Sequence, residues 1–261
     1  MNQPADGSPA DERFDSAFDL PADELIDLFQ TGEMEVEGRM PYSSNATLMV
    51  TVSDPEGAGR EAGPRSHRAI YKPGRGERPL WDFPAGLYKR EVAMYRLAET
   101  LGWSVIPPTT IAEGPLGEGS VQAFVDADFE QHYFTLHEAG IGQQDLERLC
   151  ALDLIANNTD RKSGHCLLGR DGRVYGIDHG LSFHAQFKLR TVLWDYIGEP
   201  VPAEILAAVE RFIDRGPPPG LSCLLDGFEM DAVMARAQAL VDAGVYPDDE
   251  TGGHRWPWPL V

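Results

Sequence analysis

Cysteine is scarce in this sequence, and so are basic residues. Only three cysteines occur among 261 residues, and none of them forms the C-x-x-C spacing of a redox or zinc site. Such usage is typical of reduced thiols inside a cytoplasmic protein. Lysine and arginine total 22 against 42 acidic residues, which gives a net charge of −20. This balance argues against binding to nucleic acid or to an anionic membrane surface.

Long apolar runs are also missing. No run reaches the roughly 18 residues that a membrane-spanning helix needs, and the N-terminus is acidic and lacks the apolar segment of a signal peptide. We therefore expect a cytoplasmic protein without integral membrane association. The length of 261 residues suits one two-lobed domain or two small ones, and the hydrophobic content of 42% is sufficient for a core.

A short hairpin near the middle of the chain is flanked by acidic and histidine residues. Asp171 and Gly172 lie between two apolar runs and predict a two-residue turn. Directly opposed side chains of a hairpin have Cβ atoms ~4.5–5.5 Å apart. In this register His165 faces Asp178, with Asp160 five residues before the histidine. The predicted pairs are Leu168 with Tyr175, Cys166 with Ile177 and His165 with Asp178. The segment is therefore expected to form a seat for a divalent cation and a phosphate.

A second polar pair is predicted upstream. Glu91 falls on the apolar stripe of a predicted helix over residues 83–101. A carboxylate in such a seam needs a cation, because an unpaired buried charge costs several kcal/mol. Lys72, at the end of a predicted strand, is the expected partner. The alternative is that both residues reach solvent separately.

The other predicted elements follow from hydrophobic periodicity and from the positions of glycine and proline. Residues 126–140 are predicted to be a mixed connector. Predicted helices cover 21–29, 143–157, 202–214 and 229–243, and predicted strands cover 34–40, 47–52, 68–72, 109–112 and 120–124.

The hairpin and its flanks resemble the catalytic and metal-binding loops of the phosphatidylinositol 3-/4-kinase-like superfamily, to which HipA-type serine/threonine kinases are related. The pattern of that superfamily is Asp, four residues, Asn, a hairpin and then Asp-x-Gly. Asp160 matches the catalytic aspartate and Asp178 the metal-binding aspartate. His165 stands where the superfamily usually has asparagine, so the chain departs from the pattern at the second metal ligand. The chain resembles an uncharacterised actinobacterial branch of the superfamily over roughly residues 20–261.

The resemblance implies an α+β, two-lobed protein-kinase-like fold. An N-lobe with a small antiparallel sheet and one helix is expected over residues 21–125, and a mainly helical C-lobe over residues 126–261. Residues 1–20 are polar and acidic and are predicted to be a disordered tail.

The resemblance also assigns roles to residues. It implies ATP as the nucleotide and Mg²⁺, or Mn²⁺, as the metal. Asp160 and Arg161 would be catalytic, Lys72 and Glu91 would hold the α- and β-phosphates, and Asp178 and His165 would bind the metal. A turn and a hinge would complete the nucleotide site. The turn residues are Ser43, Ser44 and Asn45, and the hinge residues are Gln122, Phe124 and Val125.

The expected function is transfer of the γ-phosphate of ATP to a hydroxyl of a protein or small molecule. The acidic charge and the lack of a basic amphipathic helix count against an inositol lipid as acceptor. Two alternatives stay open at this point. The first is a nucleotide-binding pseudokinase that serves as an interaction module. The second is a metal hydrolase that uses Asp160, His165, Asp178, His179 and His184. The sequence does not define the oligomeric state.

Overall fold

Short runs of alternating apolar and polar residues in the N-terminal half form one antiparallel sheet. The computed structural model describes residues 17–41, 45–55, 63–248 and 254–260. The sheet strands are β1 Glu33–Arg39, β2 Leu48–Ser53, β3 Ser66–Pro73, β4 Thr109–Gly114 and β5 Gly117–Ala123. Their order across the sheet is β1-β2-β3-β5-β4.

Helix α1 (Ala22–Thr31) covers one face of this sheet. Leu25, Leu28 and Phe29 form its buried stripe. They share one apolar cluster with the sheet residues Val50, Val52, Ala69, Tyr71 and Val121. Because successive residues of a strand point to opposite faces, the intervening residues of β3 and β5 are left to line a cleft on the other face.

Residues 17–20 pack against the folded protein, so the segment without tertiary contacts predicted over residues 1–20 does not extend to residue 20. The Phe18 ring packs edge-on against Tyr175, with centroids 5.4 Å apart. The backbone N–H of Ala17 donates to Asp171 Oδ2 at 3.1 Å. The aromatic side chain gains more by burial here than the polar composition of the segment suggested. The rest of the predicted tail, residues 1–16, lies outside the described residues.

Helix α2 (Leu87–Leu101) connects the sheet to the helical half of the protein. Most of its buried apolar residues, among them Met94 and Leu97, belong to the large helical core. The helix begins four residues later than predicted. The Glu77 carboxylate accepts the backbone N–H groups of Gly86 and Tyr88, both at 2.8 Å, and so caps the helix at this point.

The C-terminal half is mainly helical. Its helices are α3 Tyr133–Ala139, α4 Gln143–Ala156, α5 Ala203–Arg215, α6 Pro219–Ser222 and α7 Gly227–Ala243. Helix α3 lies within the mixed connector predicted over 126–140; it is too short to display a clear period but buries Tyr133 and Leu136 completely. Across the described ranges, no helix combines the length and apolarity that crossing a membrane requires.

The central hairpin has a register different from the predicted one. Strands β6 (Ala127–Asp128), β7 (Cys166–Gly169) and β8 (Val174–Gly176) form a second sheet. Cys166 pairs with Gly176 and not with Ile177. The loop therefore has three residues, 170–172, instead of two. Gly172, at φ 76°, takes the left-handed position that three-residue hairpin loops require.

Candidate active site

A cleft with two adjoining parts contains most of the side chains predicted for the site. The parts have volumes of about 450 and 250 Å³. Asp160 and Lys162 line the larger, more polar part, whereas apolar side chains such as Ile70 line the smaller part. The residues that line both parts are Thr47, Lys72, His165 and Asp178. The two parts therefore form one continuous site.

The predicted contact between Lys72 and Glu91 is present. Lys72 Nζ bonds to Glu91 Oε1, and it lies 2.8 Å from Asp178 Oδ1. The buried Glu91 carboxylate also accepts the backbone N–H groups of His179 and Gly180, at 2.8 and 3.1 Å. Strand β3, helix α2 and the loop after β8 are thus joined at one point.

These contacts fix the charges at that point. Burial lowers the pKa of the Lys72 ammonium, but Asp178 and Glu91 raise it, and the net result is a pKa above the ordinary value. Lys72 in turn holds the pKa of Asp178 well below its usual range. Partial desolvation of this carboxylate would raise its pKa, but the attraction of Lys72 is the larger effect. At neutral pH the cleft therefore presents a fixed ammonium beside an ionised carboxylate. This pairing is suited to phosphate and to a phosphate-bound cation.

His165 meets Asp178 as predicted, although not as a cross-strand pair. It ends a short 3₁₀ turn, Ser163–His165, and its Nε2 lies 3.5 Å from Asp178 Oδ2. The backbone N–H of Lys162 points at Nδ1 over 3.4 Å, so Nδ1 is the acceptor and Nε2 carries the proton in the neutral ring. In this tautomer Nε2, the ring nitrogen nearer to Asp178, carries the proton and has no lone pair free for a metal.

Of the predicted metal pair, Asp178 fits a cation that is held chiefly by phosphate. Within the described ranges, no group of three or more His, Cys, Asp or Glu side chains is arranged to hold a metal. Mg²⁺ is commonly bound by one or two carboxylates together with substrate phosphates and water. The ionised Asp178, at the junction of the two parts of the cleft, meets that requirement.

The free energy of unfolding of the metal-free protein is expected to decrease as the pH falls from 6.5 to about 4. Protonation of His165 accounts for part of this decrease. Burial lowers the pKa of this imidazole from 6.5 to about 4, so in that window the unfolded chain binds a proton that the folded site excludes. The contribution is complete above pH 6.5 and is lost as pH falls through 4. Urea titrations in the presence of a chelator should show a shallower decrease for His165→Asn. Equal pH slopes for the two proteins would contradict this assignment.

Asp160 lies in the larger part of the cleft and is partly buried. Its backbone N–H donates to Asn158 Oδ1 at 3.0 Å, and its Oδ2 is 3.0 Å from Lys162 Nζ. Burial raises the pKa of the Asp160 carboxyl, and the nearby Asp178 adds to this, while Lys162 opposes it. Asp160 is therefore a stronger base than an exposed aspartate.

Arg161, for which a catalytic role was predicted, is not among the residues that line the cleft. The side chain is fully buried and forms a forked pair with Asp153, at 2.9 Å from Nε and 2.8 Å from Nη2. Nη1 donates to the carbonyl oxygens of Ile177 at 3.0 Å and His165 at 3.3 Å. The guanidinium thus links the loop that carries Asp160 to the loop that carries Asp178. It does so on the side away from the cleft, where it pairs with the buried Asp153.

Sequence reasoning missed three side chains that shape these loops. Asp153 receives Arg161 and also accepts from Asn158 Nδ2 at 2.9 Å. Asn157, in a left-handed conformation with φ 53°, donates to the carbonyl oxygens of His184 and Gln186. The available signal was the position of Asp153 on an otherwise apolar helix, which requires a cation just as Glu91 does.

The predicted hinge residues line the smaller part of the cleft. Gln122, Phe124 and Val125 all face it. The backbone N–H of Phe124 donates to Arg68 O at 3.0 Å and so extends the pairing of β3 with β5. The backbone N–H of Phe124 is therefore committed to the sheet.

The predicted phosphate-covering turn is described only at its end. Ser43 and Ser44 lie outside the described residues. Asn45 lines the larger part of the cleft, and its Oδ1 accepts the backbone N–H of Arg78 at 2.9 Å. Arg78 lines the same part and was assigned no role from the sequence.

Comparisons with known proteins agree with this architecture. No family model matches the chain. Protein Rv2133c of Mycobacterium tuberculosis is 38% identical over 266 residues, which cover 87% of this chain and 92% of that protein. The Golgi casein kinase with Mn and ADP bound has 15% identity and a TM-score of 0.56, covering 92% of this chain and 80% of that chain. The structure of hydra Fam20 with sugar has 13% identity and a TM-score of 0.58, covering 85% and 87%. The predicted two-lobed, protein-kinase-like fold is confirmed.

Proposed function

We propose that this chain, which belongs to the family of protein Rv2133c of Mycobacterium tuberculosis, is a kinase that transfers the γ-phosphoryl group of ATP to a hydroxyl. The observation that carries the proposal is the junction of Lys72 with Glu91 and Asp178 in a cleft that Asp160 also lines. Phosphoryl transfer depends mainly on positioned phosphates and neutralised charge, with a carboxylate that orients the acceptor. The cleft supplies each of these.

The shape of the cleft supports an assignment of its two parts. The smaller part has apolar walls, including Ile70, Leu167 and Ile177, which suit a planar base. The larger part holds Lys72, Lys162 and Arg78, which suit the phosphates. Lys72 lies at the boundary, where it would contact the phosphates nearest the ribose. Glu91 holds this ammonium in place through its own contacts with the loop after β8.

Asp178 is the residue that would bind a divalent cation together with the phosphates, and the cation would neutralise the charge that develops on transfer. His165 would hold the Asp178 carboxylate in orientation through its Nε2 proton. The casein kinase neighbour has Mn and ADP bound, which supports a nucleotide and a divalent metal in this cleft.

Asp160 would accept the proton of the attacking hydroxyl, and its raised pKa favours this role. Lys162, 3.0 Å from the same carboxylate, would contact the transferred phosphate. Arg161 is buried in the structure and does not line this part of the cleft. The attacking hydroxyl would belong to a protein or to a small molecule.

Membership of the phosphatidylinositol 3-/4-kinase-like superfamily and a cytoplasmic location stay predictions. The pseudokinase and the metal hydrolase differ from our proposal in measurable ways. A pseudokinase would bind nucleotide without turnover in either Mg²⁺ or Mn²⁺. A hydrolase would bind Zn²⁺ tightly and would show no nucleotide binding.

The replacement Lys72→Met is expected to weaken binding of MgADP by about 10- to 100-fold, the effect of losing one charge-assisted contact worth ~1.5–3 kcal/mol. The change also leaves Glu91 and Asp178 without their shared cation, so negative charge would accumulate where phosphate must bind. Isothermal titration calorimetry of the full chain measures the dissociation constant directly. Transfer of label from [γ-³²P]ATP, to water or to the protein itself, tests turnover in parallel.

Lys89→Met provides a matched control. Lys89 is exposed on the same helix as Glu91, where it contacts the Tyr88 ring. This control should bind MgADP with the affinity of the unaltered protein. If the unaltered protein binds no adenine nucleotide, or if Lys72→Met binds as tightly as the control, the assignment of this cleft to ATP is wrong.

A further inference from the structure

Helix α2 carries two adjacent charged side chains that are both buried and that point in different directions. Glu91 faces the cleft, where it bonds to Lys72. Arg90 faces helix α7, where its Nη2 donates to Glu229 Oε1. Arg90 and Glu229 are only 3% and 7% exposed. Because neighbouring residues of a helix lie about 100° apart around its axis, one rotation of α2 sets both contacts.

The ion pair lies at the end of α2 that matters for the site. The α2 residues that belong to the large helical core run from Ala93 to Leu101 and fix the later turns of the helix. Glu91 precedes them. Arg90, on the same turn as Glu91, therefore ties that turn to α7 ahead of the apolar core.

Glu229 is itself held at a fixed point. Its Oε2 accepts the backbone N–H of Asp226 at 3.0 Å, and its own N–H donates to Asp226 Oδ1 at 2.8 Å, which forms a capping box at the start of α7. Farther along α7, Arg236 Nε donates to the carbonyl oxygen of Ile155 on α4 at 2.7 Å. Since α4 leads into the loop that carries Asp160, α7 connects α2 to the support of that loop.

We propose that Arg90 and Glu229 are positioning residues for phosphoryl transfer, because their ion pair holds α2 against α7 at the rotation that keeps Glu91 on Lys72. The inference rests on the proposed function and adds a support for the same site. Neither Arg90 nor Glu229 is among the residues that line the cleft. Without the pair, the first turns of α2 would be free to rotate and Glu91 would release Lys72. The ammonium would then pair with Asp178 alone, and the two charges that serve phosphate and metal would neutralise each other.

The test is the dissociation constant for MgADP, measured by calorimetry on the full chain at a temperature where circular dichroism shows each variant to be folded. Arg90→Met should weaken binding at least about fivefold, which corresponds to ~1 kcal/mol. Glu229→Gln is a milder change that serves if Arg90→Met does not fold. A carboxamide has one acceptor oxygen, so it keeps only one of the bonds to Arg90 and Asp226. It should weaken binding by roughly twofold to threefold.

Combining Arg90→Met with Glu91→Gln separates positioning from a general structural role. Glu91→Gln alone should weaken binding at least as much as Arg90→Met does. If Arg90 acts through Glu91, adding Arg90→Met to the Glu91→Gln protein should change the dissociation constant by less than about twofold. A loss that persists in full in the Glu91→Gln background would show that Arg90 affects binding by another route, and the inference would be wrong.

Arg65→Met is the matched control. Arg65 forms a comparable buried ion pair with Asp54, at 2.9 Å and with 6% of its side chain exposed. It precedes β3 at the end remote from Lys72. This variant should lose stability as Arg90→Met does, yet keep its affinity for MgADP within about twofold.

Three outcomes decide between the two proposals. Equal affinities for MgADP in Arg90→Met and the unaltered protein would overturn the inference while leaving the kinase proposal standing. An equal loss of affinity in Arg65→Met would do the same, because the loss would then follow from instability alone. If the unaltered protein binds no adenine nucleotide, both proposals fail.

Discussion

Replacement of Asp160 by asparagine is expected to slow γ-phosphoryl transfer by ~10²–10⁴-fold, the range that a positioned proton acceptor contributes. The substitution keeps the size of the side chain and leaves the backbone N–H of residue 160 bonded to Asn158. It removes only the carboxylate, whose pKa burial raises above its ordinary value. Since Asp160 lines the larger part of the cleft but not the smaller one, binding of the base should be unaffected.

This result separates catalysis from binding. The rate of label transfer from [γ-³²P]ATP should fall, while the dissociation constant for MgADP stays within about threefold, or less than ~0.7 kcal/mol. Lys72→Met should instead weaken binding itself. Asp214→Asn, an exposed acidic position on α5, controls for the loss of one negative charge from a chain of net charge −20. Transfer that continues at the unaltered rate in Asp160→Asn would exclude this residue as the base.

The Lys72–Glu91 contact could be predicted from the sequence because a single physical requirement determines it. A carboxylate on the apolar stripe of a helix must meet a cation, and the preceding strand ends with one. The same requirement applied to Asp153, which lies on the buried helix α4. Had it been applied there, it would have directed Arg161 inward, because the arginine lies on the turn that follows that helix.

The hairpin shows why register is harder to predict than contact. Asp-Gly occurs in two-residue turns and also at the end of three-residue loops, and the local sequence does not distinguish them. The structure adopts the three-residue form, in which the Asp171 carboxylate bonds to the Tyr175 hydroxyl at 2.7 Å. His165 still reaches Asp178, because both residues lie just outside the paired strands, where the chain is free to turn. The meeting of the two side chains was therefore predictable, whereas its geometry depended on tertiary contacts.

Replacement of Arg161 by methionine is expected to reduce the free energy of unfolding by about 3–5 kcal/mol, the cost of leaving a buried partner charge uncompensated. Asp153 would lose both bonds of the guanidinium fork and remain inside the protein with 0% exposure. The carbonyl oxygens of Ile177 and His165 would each lose a donor. Urea denaturation followed by circular dichroism measures the change.

Arg170→Met is the matched control on the hairpin loop. Arg170 pairs with Asp126 at 2.8 Å, but its side chain is 60% exposed, so its removal should cost less than about 1 kcal/mol. The double replacement Arg161→Met with Asp153→Asn removes the uncompensated charge and should be more stable than the sum of the two single changes predicts, by roughly 1–3 kcal/mol. If Arg161→Met costs no more than Arg170→Met while abolishing label transfer, the arginine acts on substrate, and its placement behind the loops is wrong. A large loss of stability with coupling to Asp153 would establish that the two loops carrying Asp160 and Asp178 are held together from within the core.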